Sequence, residues 1–458
     1  MNILKKSIME FCLEQVTPMI HFQGEEKSAG IRASDLKPRF DVFLKRYWYD
    51  LKTKREKTEI ESCILKQNEE EFENNSLDEK KRVSFDYKVK IFNNGCKNSN
   101  MTFYKEKKNG KNSFYGSFYG KLEDNKFSFY NEIKLLFLSP HQDLRNQIQG
   151  LFPVFLAVNG FGLRNNKGYG YFKLKGNTKE RILEDIQKYQ SLENKYIEQL
   201  KAKDKEKGVG VYKLQIENKA GSMPKKVQNL LEDIKFFHQI LKSGLNFDKE
   251  RNYNSKNDVY IPSFMLKKYK KQERVLFEKK SLKLFLKQEG YNIKESSKKD
   301  DVIKKDKKDE LNNQELYYVR GLLGLAPFYE FRNVKKGDQP KFTARFNIKI
   351  KEVERFPSPI KYLPVSYEEI IILVDYSKIE EFRKKGDKIH SVVFSLNGFK
   401  RELSSKINLQ IPNEDQYSIY QLFKINGVIE NGIKEFESEI TKKTRKWQYS
   451  VISDIKIG

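Results

Sequence analysis

The stretch from Asn159 to Phe172, NGFGLRNNKGYGYF, constrains the fold more than any other part of the chain. Four glycines, Gly160, Gly162, Gly168 and Gly170, surround two cations, Arg164 and Lys167, and four aromatic residues. Glycine accepts positive φ and lets other groups approach the backbone, so such a run can turn successive N–H groups inward as an anion-binding nest. Arg164 and Lys167 add mobile positive charge, and Phe161, Tyr169 and Tyr171 add flat faces. A phosphate cradle beside a stacking platform is the usual way of holding single-stranded RNA. The competing reading is a tight glycine-rich hairpin of a β protein that binds nothing. The spacing fits neither GxGxxG nor GxxxxGK followed by Ser or Thr, and GSFYGKL at 116–122 is one residue short and lacks the hydroxyl.

Charge points the same way. Lys and Arg number 89 against 63 Asp and Glu, a formal charge of +26, which asks for a polyanionic partner, nucleic acid first. A lysine-rich genome is the other source of such an excess. At 458 residues with 38% hydrophobic content the chain suits two domains with real cores. Cys12, Cys63 and Cys96 form no CxxC or Cys/His cluster, so no disulfide framework, metal or cofactor is expected. Charges break the N-terminal segment, and no window approaches 18 apolar residues, so a cytoplasmic chain without a membrane partner is expected.

Four histidines, His21, His141, His238 and His390, occur without HxxxH or GxSxG, so hydrolytic machinery is not evident. A metal-independent ribonuclease needs only a general acid/base and a cation, and His21, ahead of Arg32 and Lys37, is the histidine best placed for that.

Along the chain, residues 8–16 alternate as a strand with Met9, Phe11 and Leu13 inward. Pro38 suits the first turn of a helix whose stripe is Phe40, Phe43, Leu44, Tyr47 and Leu51. Its other face carries Lys37, Arg39, Lys45, Arg46 and Lys52 beside Trp48, and is either solvated surface or an RNA track. Residues 56–82 are acidic and Asn-rich and read as a poorly ordered excursion. Strict alternation predicts a strand over 83–91, and further strands are expected near 101–104, 114–119 and 127–138. A helix over 147–158, interrupted by Pro153, then leads into the glycine-rich loop. Three helices follow, at about 177–207, 224–244 and 264–288, and look like a connector. Residues 294–313, KESSKKDDVIKKDKKDELNN, form a charged linker. Strands over 342–353, 369–374, 389–396 and 447–455, with a helix over 433–441, complete the chain.

The loop GFGLRNNKGYG resembles the glycine-rich loop of the RAMP proteins of CRISPR-Cas systems, and KGYGYFKL is close to the RNP1 pattern of RNA-recognition domains. VTPM, IRASDLKPRF and FLKRYWYD resemble the opening of the RAMP subunit that caps the tail of the type III-B (Cmr) effector complex. KPR stands where that family has a glycine after its proline segment, and KRYWYD replaces its tryptophan pair. ERFPSPIKYLPV, 354–365, is similar to the R-x-x-SP element of its second domain, and YVRGLLG, 318–324, to the helix start before it.

The resemblance implies an α+β chain of tandem RAMP domains with ferredoxin-like (RRM-like) folds plus a helical insertion. The expected divisions are 1–176, 177–293, 294–313 and 314–458. It implies a non-catalytic subunit that meets CRISPR RNA and target single-stranded RNA near the guide 3′ end, beside other RAMP subunits. On the matching motifs, Lys37, Arg39, Arg46 and Trp48 line one wall of the RNA site. Gly160, Gly162, Arg164, Lys167, Gly168, Tyr169 and Gly170 form the phosphate-binding loop, and Arg355, Ser358 and Lys361 are the second domain's contribution. The alternatives are a RAMP endoribonuclease that processes CRISPR RNA through His21 or His141, and a scaffold without RNA contacts.

Overall fold

A computed structural model describes residues 7–20, 30–65, 84–92, 98–102, 106–108, 111–113, 126–130, 132–199, 208–217, 221–247, 259–261, 263–265, 276–288, 290–293, 316–325, 328–335, 337, 342–350, 356–387, 392–397, 407–409, 411–415, 417–424, 428–439 and 447–452. They fall into two compact units, Met1–Lys235 with Lys361–Leu373, and Phe236–Ile360 with Val374–Gly458. The chain is α+β, built of helices and largely antiparallel sheets.

The first unit opens with β1 (Ile8–Gln15), α1 (Ala33–Leu44), β2 (Lys88–Phe92), β3 (Ile133–Leu138), α2 (Gln142–Val158) and β4 (Phe172–Leu174). The strands form one antiparallel sheet in the order β2–β3–β1–β4. Alternation decides which face is buried: Met9 and Leu13 of β1 and Ile133, Leu135 and Phe137 of β3 are buried. Phe137 meets Phe152 of α2 at 4.9 Å and Phe40 of α1 at 6.0 Å between ring centroids. The opposite face carries surface pairs such as Lys134–Glu10 at 2.7 Å.

Several expectations shift. Pro38 lies inside α1, not in its first turn, because the helix already starts at Ala33 with Arg32 as its cap. Proline removes one donor to the carbonyl of Ser34, and both residues face solvent, where that carbonyl remains hydrated at little cost. Beyond Leu44 the helix widens into a π turn, Lys45–Tyr49, closed by Asp50 N–H donating to Lys45 O at 2.8 Å. The extra residue in that turn brings both Tyr47 and Trp48 inward. The stretch expected to be poorly ordered begins instead inside a short helix, Lys54–Ile60, started by a capping box between Thr53 and Glu56; residues 66–83 lie outside the described set, as do 114–119 and the linker 294–313. Pro153 does not interrupt α2, which runs unbroken to Val158.

After β4 come α3 (Lys179–Gln199), β5 (Val209–Ile216) and α4 (Met223–Lys242). β5 falls between the helices expected over 177–207 and 224–244; Val209 and Val211 are buried on one of its faces and Tyr212, Leu214 and Ile216 on the other. The later segment Lys361–Leu373 also belongs to this unit. It supplies most of β6 (Ile360–Pro364) and β7 (Glu369–Asp375), which extend the order β6–β7–β5, and Ile216 N–H donates to Glu368 O at 2.8 Å.

The second unit holds an antiparallel sheet in the order Asn292–Ile293, Phe328–Lys335, Phe342–Ile350, Val392–Asn397, Ile407–Leu409. The helix expected over 264–288 is described as Glu278–Gln288, preceded by a short strand, Leu276–Phe277, which pairs parallel with Leu316–Tyr317. Buried Arg383 ties Tyr376–Asp387 to Pro412 O and Tyr417 O and pairs with Glu380 and Glu414.

Candidate nucleic-acid interface

The glycine-rich loop is held by the segment that follows β1. Gly170 N–H donates to Pro18 O at 2.9 Å and Leu163 N–H to Ile20 O at 2.8 Å. The buried Thr17 hydroxyl donates to Gly168 O at 2.6 Å and accepts from Tyr171 N–H at 3.0 Å. The TPM element and the glycine-rich loop, distant in sequence, are thus one structural device. Its glycines are required sterically: Gly162 (φ 76°) and Gly170 (φ 63°) are both left-handed, and a Cβ would collide with Ile20 O at the first and Phe161 O at the second. Gly160 is hemmed in by Tyr169 O, and Gly168 by the side chain of Ile234.

Six loop N–H groups, those of Phe161, Leu163, Lys167, Gly168, Gly170 and Tyr171, donate to acceptors of the chain itself. They are spent on holding the loop, so its positive field comes from side chains. Phe161, Tyr169 and Tyr171, expected as stacking faces, are at most 1% exposed, and Tyr171 donates to Ala157 O. Leu163 and Arg164 form the exposed tip. Arg164 has φ 57°, the one described residue other than glycine with positive φ. Arg164→Gly is therefore expected to stabilise the fold by about 1 kcal/mol, while Arg164→Ala keeps the strain. Urea midpoints of the two variants check this.

Two cations gather where α2 ends. Lys361 donates to Val158 O at 3.3 Å and to Asn159 Oδ1 at 3.4 Å, and Arg39 reaches the same Oδ1 at 3.5 Å. The Asn159 amide is oriented by its Nδ2 donating to Phe155 O at 2.9 Å. Arg39 also lies over the Phe161 ring, 5.1 Å from its centroid, and burial lowers its pKa, with Asp35 opposing. No carboxylate among the described residues is within ion-pair distance of Arg39. Lys167 sits 5.5 Å from the Tyr362 ring centroid, and Tyr362 N–H donates to Asn166 O at 3.2 Å, which ties β6 to the loop.

The other expected residues lie elsewhere. Lys37 Nζ donates to Asp41 Oδ2 at 2.8 Å, Phe85 O at 3.0 Å and Ser84 Oγ at 3.2 Å. Arg46 pairs with buried Glu193, and Trp48 is 4% exposed and stacked on Phe85. Ser358, in the second unit, accepts from Ile360 N–H at 3.3 Å. Arg355 and His21 lie outside the described residues. His141, at the start of α2, has Nε2 2.9 Å from Asp86 Oδ2. Asn159 is not among the residues the sequence points to; an Asn before Gly at a helix end is the signal it carries.

Among the described residues no helix is long and apolar enough to cross a membrane. Residues 6–245 match the family model of the Cmr1 N-terminal domain, and residues 260–446 match that of the Cmr1 C-terminal domain.

The chain belongs to the Cmr1 family.

Family membership makes it a RAMP subunit of the type III-B Cmr complex. A solved structure similar to it is the crystal structure of Cmr1 from Pyrococcus furiosus in its apo form, at 11% identity and a TM-score of 0.25, covering 53% of this chain and 78% of that one. No curated protein matches the chain. The N-terminal family match takes in the TPM segment, α1 and the glycine-rich loop, and the C-terminal match takes in Lys361.

Proposed function

We propose that this Cmr1-family chain is a non-catalytic RNA-binding subunit of a type III CRISPR RNA-guided effector complex, contacting guide and target RNA near the guide 3′ end beside other RAMP subunits. The observation that carries this reading is the gathering of Arg39, Lys361 and Lys167 around one loop whose exposed tip bears Arg164. Cations held around a rigid loop suit a polyanion whose charges repeat along a strand. The first RAMP domain is proposed to be ferredoxin-like, supported by the succession β1–α1–β2–β3–α2–β4 with strand order β2–β3–β1–β4. The second is proposed to follow the charged linker, on the antiparallel sheet of the second unit.

The test is a gel shift of the purified chain with labelled single-stranded RNA in the absence of metal, beside a denaturing gel of the same samples. Shifted, intact RNA that is released by salt is expected. Replacing Arg164 and Lys167 together by Ala should lower the slope of log affinity against log salt by about 1.4, near 0.7 per lost single-strand phosphate contact. An unchanged slope would remove those two residues from the interface. A second reading has one observation in its favour: the His141–Asp86 pair is the geometry of an oriented acid/base. Discrete cleavage products lost in His141→Ala would establish that processing activity instead, and no shift at low salt would favour the scaffold.

A further inference from the structure

We propose that Gln15 and Thr17 are positioning residues of the RNA interface: a buried relay of side-chain hydrogen bonds runs from Tyr130 through both of them to Gly168, and it fixes the turn that carries Arg164 and Lys167. The inference goes a step beyond the RNA-binding reading and rests on it.

The relay starts from an exception in the pattern of β1. Met9, Phe11 and Leu13 face the core, and the next inward position holds Gln15, which is 2% exposed. An amide buried there destabilises the strand unless both of its ends are bonded. Both are: Oε1 accepts from Tyr130 N–H at 2.9 Å, and Nε2 donates to Thr17 O at 3.0 Å. Tyr130 ends a two-stranded antiparallel ribbon, Asn98–Thr102 with Lys126–Tyr130, that lies between β2 and β3 in the chain. Gln15 therefore joins the foot of that ribbon to the segment after β1.

From Thr17 the relay reaches the loop by two routes. The carbonyl that Gln15 grips belongs to the Thr17–Pro18 peptide, so the bond orients Pro18, whose own carbonyl accepts from Gly170 N–H at 2.9 Å. The Thr17 hydroxyl meanwhile donates to Gly168 O at 2.6 Å and accepts from Tyr171 N–H at 3.0 Å. Gly168 closes the turn of the cations: Lys167 N–H donates to Arg164 O at 2.8 Å, and Gly168 N–H to Asn165 O at 3.2 Å. Both ends of this turn are left-handed, with φ 57° at Arg164 and 83° at Gly168. Removing the hydroxyl leaves a buried acceptor and a buried donor unpaired, and the strained turn then relaxes by rotating the peptide that follows Gly168. Arg164 and Lys167 move with it, which matters because binding groups act together only when their supports hold them in register.

The test uses the full chain and a fluorescein-labelled single strand of RNA about 15 nucleotides long, titrated over a range of salt. Thr17→Val keeps the shape and removes the hydroxyl; it should weaken binding about tenfold and lower the salt slope by about 1.4, near 0.7 for each of the two cations. Thr17→Ser keeps the hydroxyl and should restore both. Gln15→Met breaks the relay at its other end and should lower affinity and slope in the same direction, which keeps the proposal testable if Thr17→Val does not fold. Because both residues act through one relay, the double variant should bind within about twofold of Thr17→Val alone. Hydrogen exchange at Gly170 and Tyr171 should quicken in Thr17→Val and in Gln15→Met, and return in Thr17→Ser. A purely structural role would lower the urea midpoints while affinity and slope in the folded variants stay at wild-type values, and that result overturns the relay and leaves the RNA-binding reading standing. Independent losses that multiply in the double variant also overturn it. A wild-type chain that binds no RNA at low salt overturns the RNA-binding reading and the relay with it.

Discussion

Gly170→Ala is expected to destabilise the first unit by about 3–5 kcal/mol, the sum of a left-handed backbone forced on an L residue and a displacement of neighbouring main chain. At φ 63° the added methyl points at the carbonyl oxygen of Phe161, well inside contact distance. Neither side can retreat. Gly170 N–H donates to Pro18 O at 2.9 Å, and its carbonyl accepts from Phe161 N–H at 2.8 Å, so any shift breaks a buried hydrogen bond. Gly176 is the control, with φ 83° and nothing within 4 Å of a built Cβ. There the cost should be the backbone term alone, about 1 kcal/mol. Urea unfolding followed by circular dichroism measures both variants, and equal losses would show that the close approach to Phe161 does not matter.

Glu193→Ala should cost about 3 kcal/mol, because it strips a buried ion pair of one partner. Glu193 is 1% exposed and accepts from both the Arg46 guanidinium and the Tyr47 hydroxyl. Aromatic rings close the site: Tyr47 meets Phe43 at 4.5 Å and Tyr189 at 5.7 Å, and Arg46 lies 4.4 Å from the Tyr196 ring centroid. Glu193→Gln keeps an acceptor and should cost about 1 kcal/mol. Burial raises the Tyr47 phenol far above its ordinary value, helped by Tyr189. The unfolded chain then loses this proton before the folded one does. Stability from the contact is accordingly complete below about pH 10 and declines above it. Hydrogen exchange in α3, compared between wild type and the two variants, reads the effect where it arises. Equal protection in all three would show that this ion pair does not anchor the helix.

The local patterns were legible and the partnerships were not. Alternation at Met9, Phe11 and Leu13 announced β1, and the apolar run from Glu369 announced β7. β5 is buried on both faces and so does not alternate strictly, and its eight residues lie between α3 and α4, whose periodicity dominates any long window. The glycine-rich loop was visible as a special backbone, yet an aromatic beside a glycine looks the same whether it will face a base or a core. Phe161, Tyr169 and Tyr171 are packed because Thr17, Pro18 and Ile20 close over the loop, and nothing local specifies that. Trp48 turns inward through a π turn that a 3.6-residue period does not foresee. Resemblance points to Arg39 and Lys361 but not to the oxygen that joins them, since a shared acceptor exists only once α1, α2 and β6 have assembled.

The return of Lys361–Leu373 to the first unit has a consequence for synthesis. A ribosome emits the chain from its N-terminus, and the strands and helices through α3 and β5 leave the exit tunnel long before β6 and β7 exist. Until that segment emerges, β5 lacks its β7 neighbour, Lys167 lacks the Tyr362 ring, and the end of α2 lacks Lys361. Long-range closures of this kind are slow, and the half-finished sheet is exposed to other chains while it waits. The loop that gathers the cations is thus among the last parts of the first unit to be completed, so a chain interrupted in the linker would carry the glycine-rich sequence without the assembled site.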